Sequence, residues 1–225
     1  KKILIDTGNG TKWEEKYKQI YDINTDQYNI EKSLGKYGFS SEQITDVICT
    51  HMHFDHIGGN TKIKFGEVVP TFPNAKYWIS EENWNLANHP SQKDAGSFIE
   101  QDWKVLAENQ MIEIINGKEP FIEGIETIVT RGHTPGLLHP VVSDGSNKLF
   151  YGADIFPMVA HIPIPWVMAY DVQPVVTMEE KQKLLQKMER EDWILFFEHD
   201  PHIQACSVHK DGKHYKLNKK IKISD

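Results

Sequence analysis

Thr50-His51-Met52-His53-Phe54-Asp55-His56-Ile57-Gly58-Gly59 decides how this chain is read, because three imidazoles and a carboxylate follow directly on an apolar run. That run, Ile44 to Thr50, reads as a short, buried, β-branched strand, entered from Ser40-Ser41-Glu42-Gln43 with a one-turn capping pattern. Where the chain leaves the strand, His51 and His53 lie two apart and can point the same way, while Asp55 and His56 fall on the following turn. One pair can therefore face one cation and the second pair a neighbour. Imidazole and carboxylate donors without a thiolate suit Zn²⁺ or another borderline first-row ion such as Mn, Fe or Co.

Residues of the same chemical kind recur far downstream. His133 lies in Arg131-Gly132-His133-Thr134-Pro135-Gly136, Asp154 in Tyr151-Gly152-Ala153-Asp154, and His199 with Asp200 in Phe196-Phe197-Glu198-His199-Asp200. Each follows an apolar run: Ile125 to Thr130, Lys148 to Tyr151 and Trp193 to Phe197. Three more strands thus deliver polar side chains to a common edge, where a sheet can hold ligands in fixed geometry.

With these residues in place the chain resembles the metallo-β-lactamase superfamily, whose signature is H-x-H-x-D-H followed by a lone His, a bridging Asp and a final His. The resemblance implies an α/β (α+β) fold, an αββα sandwich of two mixed β-sheets flanked by helices. It implies that His51, His53 and His133 hold one metal, that Asp55, His56 and His199 hold a second, and that Asp154 bridges them. The cofactor would be two divalent metal ions, zinc in the first place. A hydroxide shared by the metals would attack the substrate, and Asp55, besides ligating, could pass a proton to the leaving group as a catalytic acid. The bridging carboxylate and the absence of a Cys ligand set the chain apart from the true β-lactamase branches. His53 stands where the diiron oxygen-reducing branch carries a Glu.

Within the superfamily the chain looks most like the group containing N-acyl homoserine lactonases and methyl parathion hydrolase. The grounds are Gly132-His133-Thr134-Pro135-Gly136, the Pro-rich loop after Asp154, and Glu198-His199-Asp200-Pro201. The expected substrate is a small apolar ester, first a lactone, with a phosphotriester or aryl ester as the alternative. Pro157 occupies the position at which the best-known lactonases place a carbonyl-orienting Tyr. Two readings of other classes are a non-catalytic metal-binding regulatory protein, which a lost ligand would favour, and a mono-iron sulfur dioxygenase, which metal analysis would separate. Glyoxalase II shares the front motif but needs a helical C-terminal domain, and only 26 residues follow His199.

Composition narrows the partners. Lys+Arg 25 against Asp+Glu 32 gives a formal charge of -7, and no basic stretch stands beside the metal motif. Nucleic-acid binding needs a basic footprint, so a small molecule is the expected partner, with no nucleic acid, no membrane, and a homodimer as the candidate assembly. The terminal strip Lys216 to Lys222 reads as a solvated edge. Cys49 and Cys206 make no disulfide framework; as free thiols they fit a reducing, cytoplasmic compartment. At 225 residues one domain, 1–225, is expected. The abrupt start at Ile3-Leu4-Ile5 suggests that N-terminal strands, and with them any targeting segment, precede Lys1.

Along the chain, Asp6 in the turn Asp6-Thr7-Gly8-Asn9-Gly10 is a candidate partner for the far nitrogen of a ligand His. Helical patterns cover Lys12 to Tyr21, Ile30 to Tyr37, Ser80 to Asn88 with Ser80 as cap, and Gly96 to Asn109 with Phe98, Trp103, Val105 and Leu106 partly inward. Gly59 to Pro73 reads as an irregular, lid-like loop, and residues 121 to 151 as successive short strands. Thr177-Met178-Glu179-Glu180 reads as a capping box opening a helix with the apolar stripe Leu184, Leu185 and Met188. Phe156 to Pro174, with four prolines, carries the candidate pocket residues Phe156, His161, Trp166 and Tyr170. His89, His139, His202, His209 and His214 are given no role.

Overall fold

Parallel strands joined through helices make the first half of the chain, as the alternation of apolar strands and amphipathic stretches requires. The computed structural model describes residues 1–27, 29–116 and 122–223. Two compact units divide the chain, Lys1–Ile115 and Asn116–Asp225.

In the first unit the elements are β1 (Ile3–Ile5), α1 (Glu15–Tyr21), α2 (Ile30–Lys36), β2 (Asp46–Ile48), α3 (Phe54–Ile57), β3 (Thr61–Lys64), β4 (Glu67–Pro70), β5 (Lys76–Ser80), α4 (Glu81–Asn88), α5 (Lys104–Glu108) and β6 (Ile112–Ile115). The sheet order is β1-β2-β5-β6, and every neighbouring pair is parallel. Val47, Met52, Ile57, Phe72, Tyr77, Ile79, Trp103 and Leu106 form its buried core. The capping box expected at Ser40 and Gln43 is present and closes one turn of 3-10 helix before β2.

Three expectations in this unit are corrected. The helix expected from Lys12 begins only at Glu15, because Lys12 is drawn inward onto Asp102 at 2.9 Å and onto the carbonyls of Gly58 and Thr61, which breaks the helical path. The helix expected over Gly96 to Asn109 is two 3-10 turns, Ala95–Ser97 and Glu100–Asp102, followed by the short α5. Phe98 and Ile99 between them are extended, so that Asp102 can reach Lys12; Trp103 and Leu106 are buried as expected. Gly59 to Pro73 is not irregular: β3 and β4 pair as a hairpin across Phe65-Gly66, both at positive φ, the geometry of a two-residue primed turn.

The second unit holds β7 (Ile125–Thr130), β8 (Leu137–Ser143), β9 (Lys148–Tyr151), α6 (Pro174–Glu191), β10 (Ile194–Phe196), β11 (Ala205–Asp211) and β12 (His214–Ile221). Its sheet runs β12-β11-β10-β9-β8-β7, mixed as expected, with β9 and β10 parallel and the other pairs antiparallel. The strands expected from residue 121 begin at β7; residue 121 itself lies outside the described residues. Leu184, Leu185 and Met188 of α6 are buried, as are Phe150, Trp193 and Leu195, and the Phe150 and Trp193 rings stack at 6.3 Å. Removing one such side chain, as in Leu185→Ala, costs about 2–5 kcal/mol. Lysines 216, 219 and 220 lie on β12, the edge strand, where charge discourages pairing with another chain.

The capping box expected at Thr177 is also corrected. Helix α6 starts one turn earlier at Pro174, a residue suited to the first turn because its missing N–H would be unpaired there. Glu180 is thereby released from capping and instead accepts the backbone N–H of Arg131 and Gly132 at 2.8 and 2.9 Å.

Candidate metal centre

In the first unit the motif leaves β2 under tight backbone control. Asp6, at φ 55, donates its N–H to Ile48 O, and Thr7 N–H donates to His56 O at 2.7 Å, so the opening strand is strapped along the motif. Met52 N–H is held by Asn83 Oδ1 of α4 at 2.7 Å. A Cβ on Gly58 or Gly59 would run into the carbonyl of Asn9 or Thr7, so only glycine lets the loop close this far.

Asp6 organises the imidazoles. Its carboxylate accepts Thr50 N–H and Thr50 Oγ1–H, each at 2.7 Å, and faces His56 Nδ1 at 3.0 Å. The Thr50 hydroxyl proton is thus committed, so the 3.0 Å contact to His51 Nδ1 makes that nitrogen the donor. Both His51 and His56 are left with a lone pair on Nε2. His51 Nε2 points at His53 Nδ1, 3.0 Å away, and all three rings are buried. Asp55, a third exposed, has Oδ2 3.7 Å from His56 Nε2.

The second unit holds donors of its own. His133 follows β7 and α6 packs on its loop: Gly132 carries no Cβ, and one would collide with Thr177. Asp171 Oδ1 accepts from His133 Nδ1 at 2.9 Å, which leaves Nε2 as an electron-pair donor. That nitrogen lies 3.1 Å from Asp154 Oδ2, while His199 Nε2 lies 3.0 Å from Asp154 Oδ1. Asp154 sits in a 3-10 turn after β9, entered through Ala153 at φ 40. Its two oxygens therefore face two different imidazoles.

These donor sets fit metal ions. An imidazole lone pair opposite a second lone pair or a carboxylate oxygen is repulsive unless a proton or cation lies between them. Two nitrogens on one tetrahedral cation, at about 2.0–2.1 Å each, stand about 3.3 Å apart. The 3.0 and 3.1 Å separations within each unit are close to that spacing.

A family profile described as the metallo-beta-lactamase superfamily matches residues 1–199. The chain belongs to the metallo-β-lactamase superfamily. The expectation drawn from the H-x-H-x-D-H motif is borne out, for the fold as well as for the family. Among curated proteins, a protein named N-acyl homoserine lactonase from a Bacillus species is 25% identical over 213 residues, covering 88% of this chain and 76% of its own length. A solved structure described as a probable metal-dependent hydrolase from Staphylococcus aureus is 25% identical with a TM-score of 0.83, covering 97% of this chain and 78% of its own. The structure of AidC, described as a dizinc quorum-quenching lactonase in complex with a product, shares the metallo-β-lactamase fold at TM-score 0.80 and 24% identity, covering 99% of this chain and 76% of its own.

The four residues singled out on the Pro-rich loop have different surroundings. Phe156 is fully buried and packs edge-on against Phe150 at 6.4 Å, so its ring belongs to the core. Trp166 and Tyr170 are exposed at 64% and 76%, and His161 is half-buried. Cys49 and Cys206 are buried free thiols, each pushed up to about 12 by burial and so protonated and unreactive at neutral pH. Sequence reasoning missed Asp171, Asn83, Glu180, Lys181, Lys12 and Asp102. Asp171 had one signal, a carboxylate three residues before the Pro174 that opens a helix; the others sit among ordinary surface-type residues.

Proposed function

We propose that the chain is a metal-dependent hydrolase that opens a small apolar ester, in the first place a lactone of the N-acyl homoserine type. The observation that carries this reading is Asp154, whose two oxygens each face a separate imidazole, as a carboxylate shared between two cations would. His51, His53 and His133 would hold one divalent cation, Asp55, His56 and His199 the other, with Asp154 common to both and zinc the first candidate. Relatives named N-acyl homoserine lactonase support the substrate class.

Divalent cations held by these residues would supply Lewis-acid polarisation of the ester carbonyl and a water whose pKa is lowered to about 7. The chain's own residues do the rest. Asp6 and Asp171 fix the tautomers of His56 and His133 by accepting their Nδ1 protons, so both Nε2 lone pairs stay available. Asp55, a third exposed, is the carboxylate able to hold a proton and return it to the departing alkoxide. No serine nucleophile is required.

Pro157 favours a second reading, hydrolysis of aryl esters or phosphotriesters. It brings no hydroxyl to orient a flat carbonyl, and its own carbonyl is occupied by the His199 N–H at 3.2 Å. The test is an assay of zinc-loaded protein on homoserine lactones of several chain lengths, aryl esters and phosphotriesters, with metal analysis beside it. Ring opening of a lactone with about two metals per chain supports the reading. Hydrolysis of phosphotriesters alone would move it to the second, and one iron with thiol-dependent oxygen uptake would sink both.

A further inference from the structure

Lys181 is the one fully buried lysine among the described residues, and the reading above gives it no task. It lies on α6, and its ammonium donates to the carbonyls of Pro163, Ile164 and Trp166 at 2.9, 3.3 and 2.7 Å. Three N–H groups meet three acceptors, so the ammonium is fully used. No carboxylate among the described residues forms an ion pair with it. The Phe156 ring lies 5.7 Å below.

A charge is costly to bury unless its donors are met, as the three carbonyls meet these. Pro163 and Pro165 have no N–H to give, and residues 162–166 belong to no strand, so their carbonyls have no ladder to join. Trp166 N–H reaches Pro163 O at 3.1 Å, and from the helix Lys181 supplies the donors to Ile164 O and Trp166 O and a second one to Pro163 O. Burial pushes its pKa down to about 8, with Asp171 opposing the shift, so it remains charged at neutral pH.

The loop it holds leads five residues on to Asp171, the acceptor of His133 Nδ1–H. Val172 and Gln173 N–H then donate to the carbonyls of His133 and Gly132 at 2.9 and 2.8 Å. The neighbouring helix residue, Glu180, takes the N–H groups of Arg131 and Gly132 from the other side. Two consecutive residues of opposite charge on α6 therefore grip the two segments that meet at His133.

We infer that Lys181 is a positioning residue for His133: by holding the Pro163, Ile164 and Trp166 carbonyls it sets Asp171 against His133 Nδ1 and so fixes the ring for metal binding. Only the affinity readout rests on the two-metal reading; the imidazole proton can be followed without it.

The experiment compares wild type, K181M and K181R by chelator competition for Zn²⁺ and by the NMR signal of the hydrogen-bonded His133 Nδ1 proton. K181M should bind Zn²⁺ about tenfold more weakly and lose or broaden that signal, while K181R, which keeps the donors, stays within about threefold of wild type. A merely structural lysine would lower the melting temperature and leave the imidazole proton in place. If K181M does not fold, K181Q replaces it, retaining one amide donor without the charge. A loss smaller than threefold in the uncharged variant, with the His133 signal unshifted, overturns the inference. Wild type that binds no Zn²⁺ overturns the two-metal reading instead, and the proton signal then decides the role of Lys181 alone.

Discussion

Asp6 Oδ2 lies 3.0 Å from His56 Nδ1 with both side chains buried, and the same oxygen accepts the Thr50 hydroxyl that in turn meets His51. One carboxylate thus sets two imidazoles of the motif. Asp6→Ala should weaken Zn²⁺ binding about 10–100-fold, as loss of such partners does elsewhere. Chelator competition measures it, and an unchanged affinity would remove Asp6 from the centre.

On the proposed two-metal reading, Asp154→Ala should lower the metal content from about two to about one per chain and take turnover close to background, because the carboxylate proposed to be common to both cations is gone. His209→Ala, on β11, should leave both quantities near wild type. Metal analysis after desalting and steady-state assays compare the two variants; equal losses would contradict the ligand assignment.

His139 is fully buried between Thr130 Oγ1 at 2.8 Å and Tyr151 O at 3.1 Å, and burial brings its pKa down to about 4. Between pH 6.5 and 4 the unfolded chain takes up a proton at this site that the folded chain refuses, so stability falls as the pH drops through that window. The loss is about 3 kcal/mol by pH 4 and absent above pH 6.5. Denaturant titrations across this range should show it, and His139→Gln should flatten the dependence by a similar amount.

Lys12 and Asp102 are paired at 2.9 Å with side chains 5% and 3% exposed, and burial raises the Asp102 pKa while Lys12 opposes it. Lys12→Met leaves Asp102 buried without its partner and should destabilise the protein by about 3–5 kcal/mol. The double variant Lys12→Met with Asp102→Leu should recover part of that loss. Unfolding midpoints in urea distinguish the two.

Trp166 is largely exposed, so Trp166→Ala should change stability by less than about 0.5 kcal/mol. If its ring meets the acyl chain of a lactone, KM should rise more for long chains than for short ones, with kcat little changed. Equal effects on both lengths would place the ring outside the acyl site.

The sequence alone determined the candidate donors and their order. His51, His53, Asp55 and His56 are legible because their spacing joins a strand end to a turn, and His133, Asp154 and His199 because each closes an apolar run. Strand periodicity and the stripe Leu184, Leu185, Met188 were equally legible, being local patterns of burial. Tertiary structure decided which imidazole each partner orients. Asp6, a candidate partner from its turn, reaches His56 across 50 positions of sequence, Asp171 reaches His133 across 38, and Lys12 reaches Asp102 across 90, pairings that no spacing fixes. The same long-range contacts redrew the local structure: Lys12 shortened α1, Asp102 broke the 96–109 helix, and Glu180 left its cap for the backbone of Gly132. A buried charge is held by whichever partners the fold brings within about 3 Å, and that choice outweighs local propensity because an unmet charge costs more than a lost helical turn.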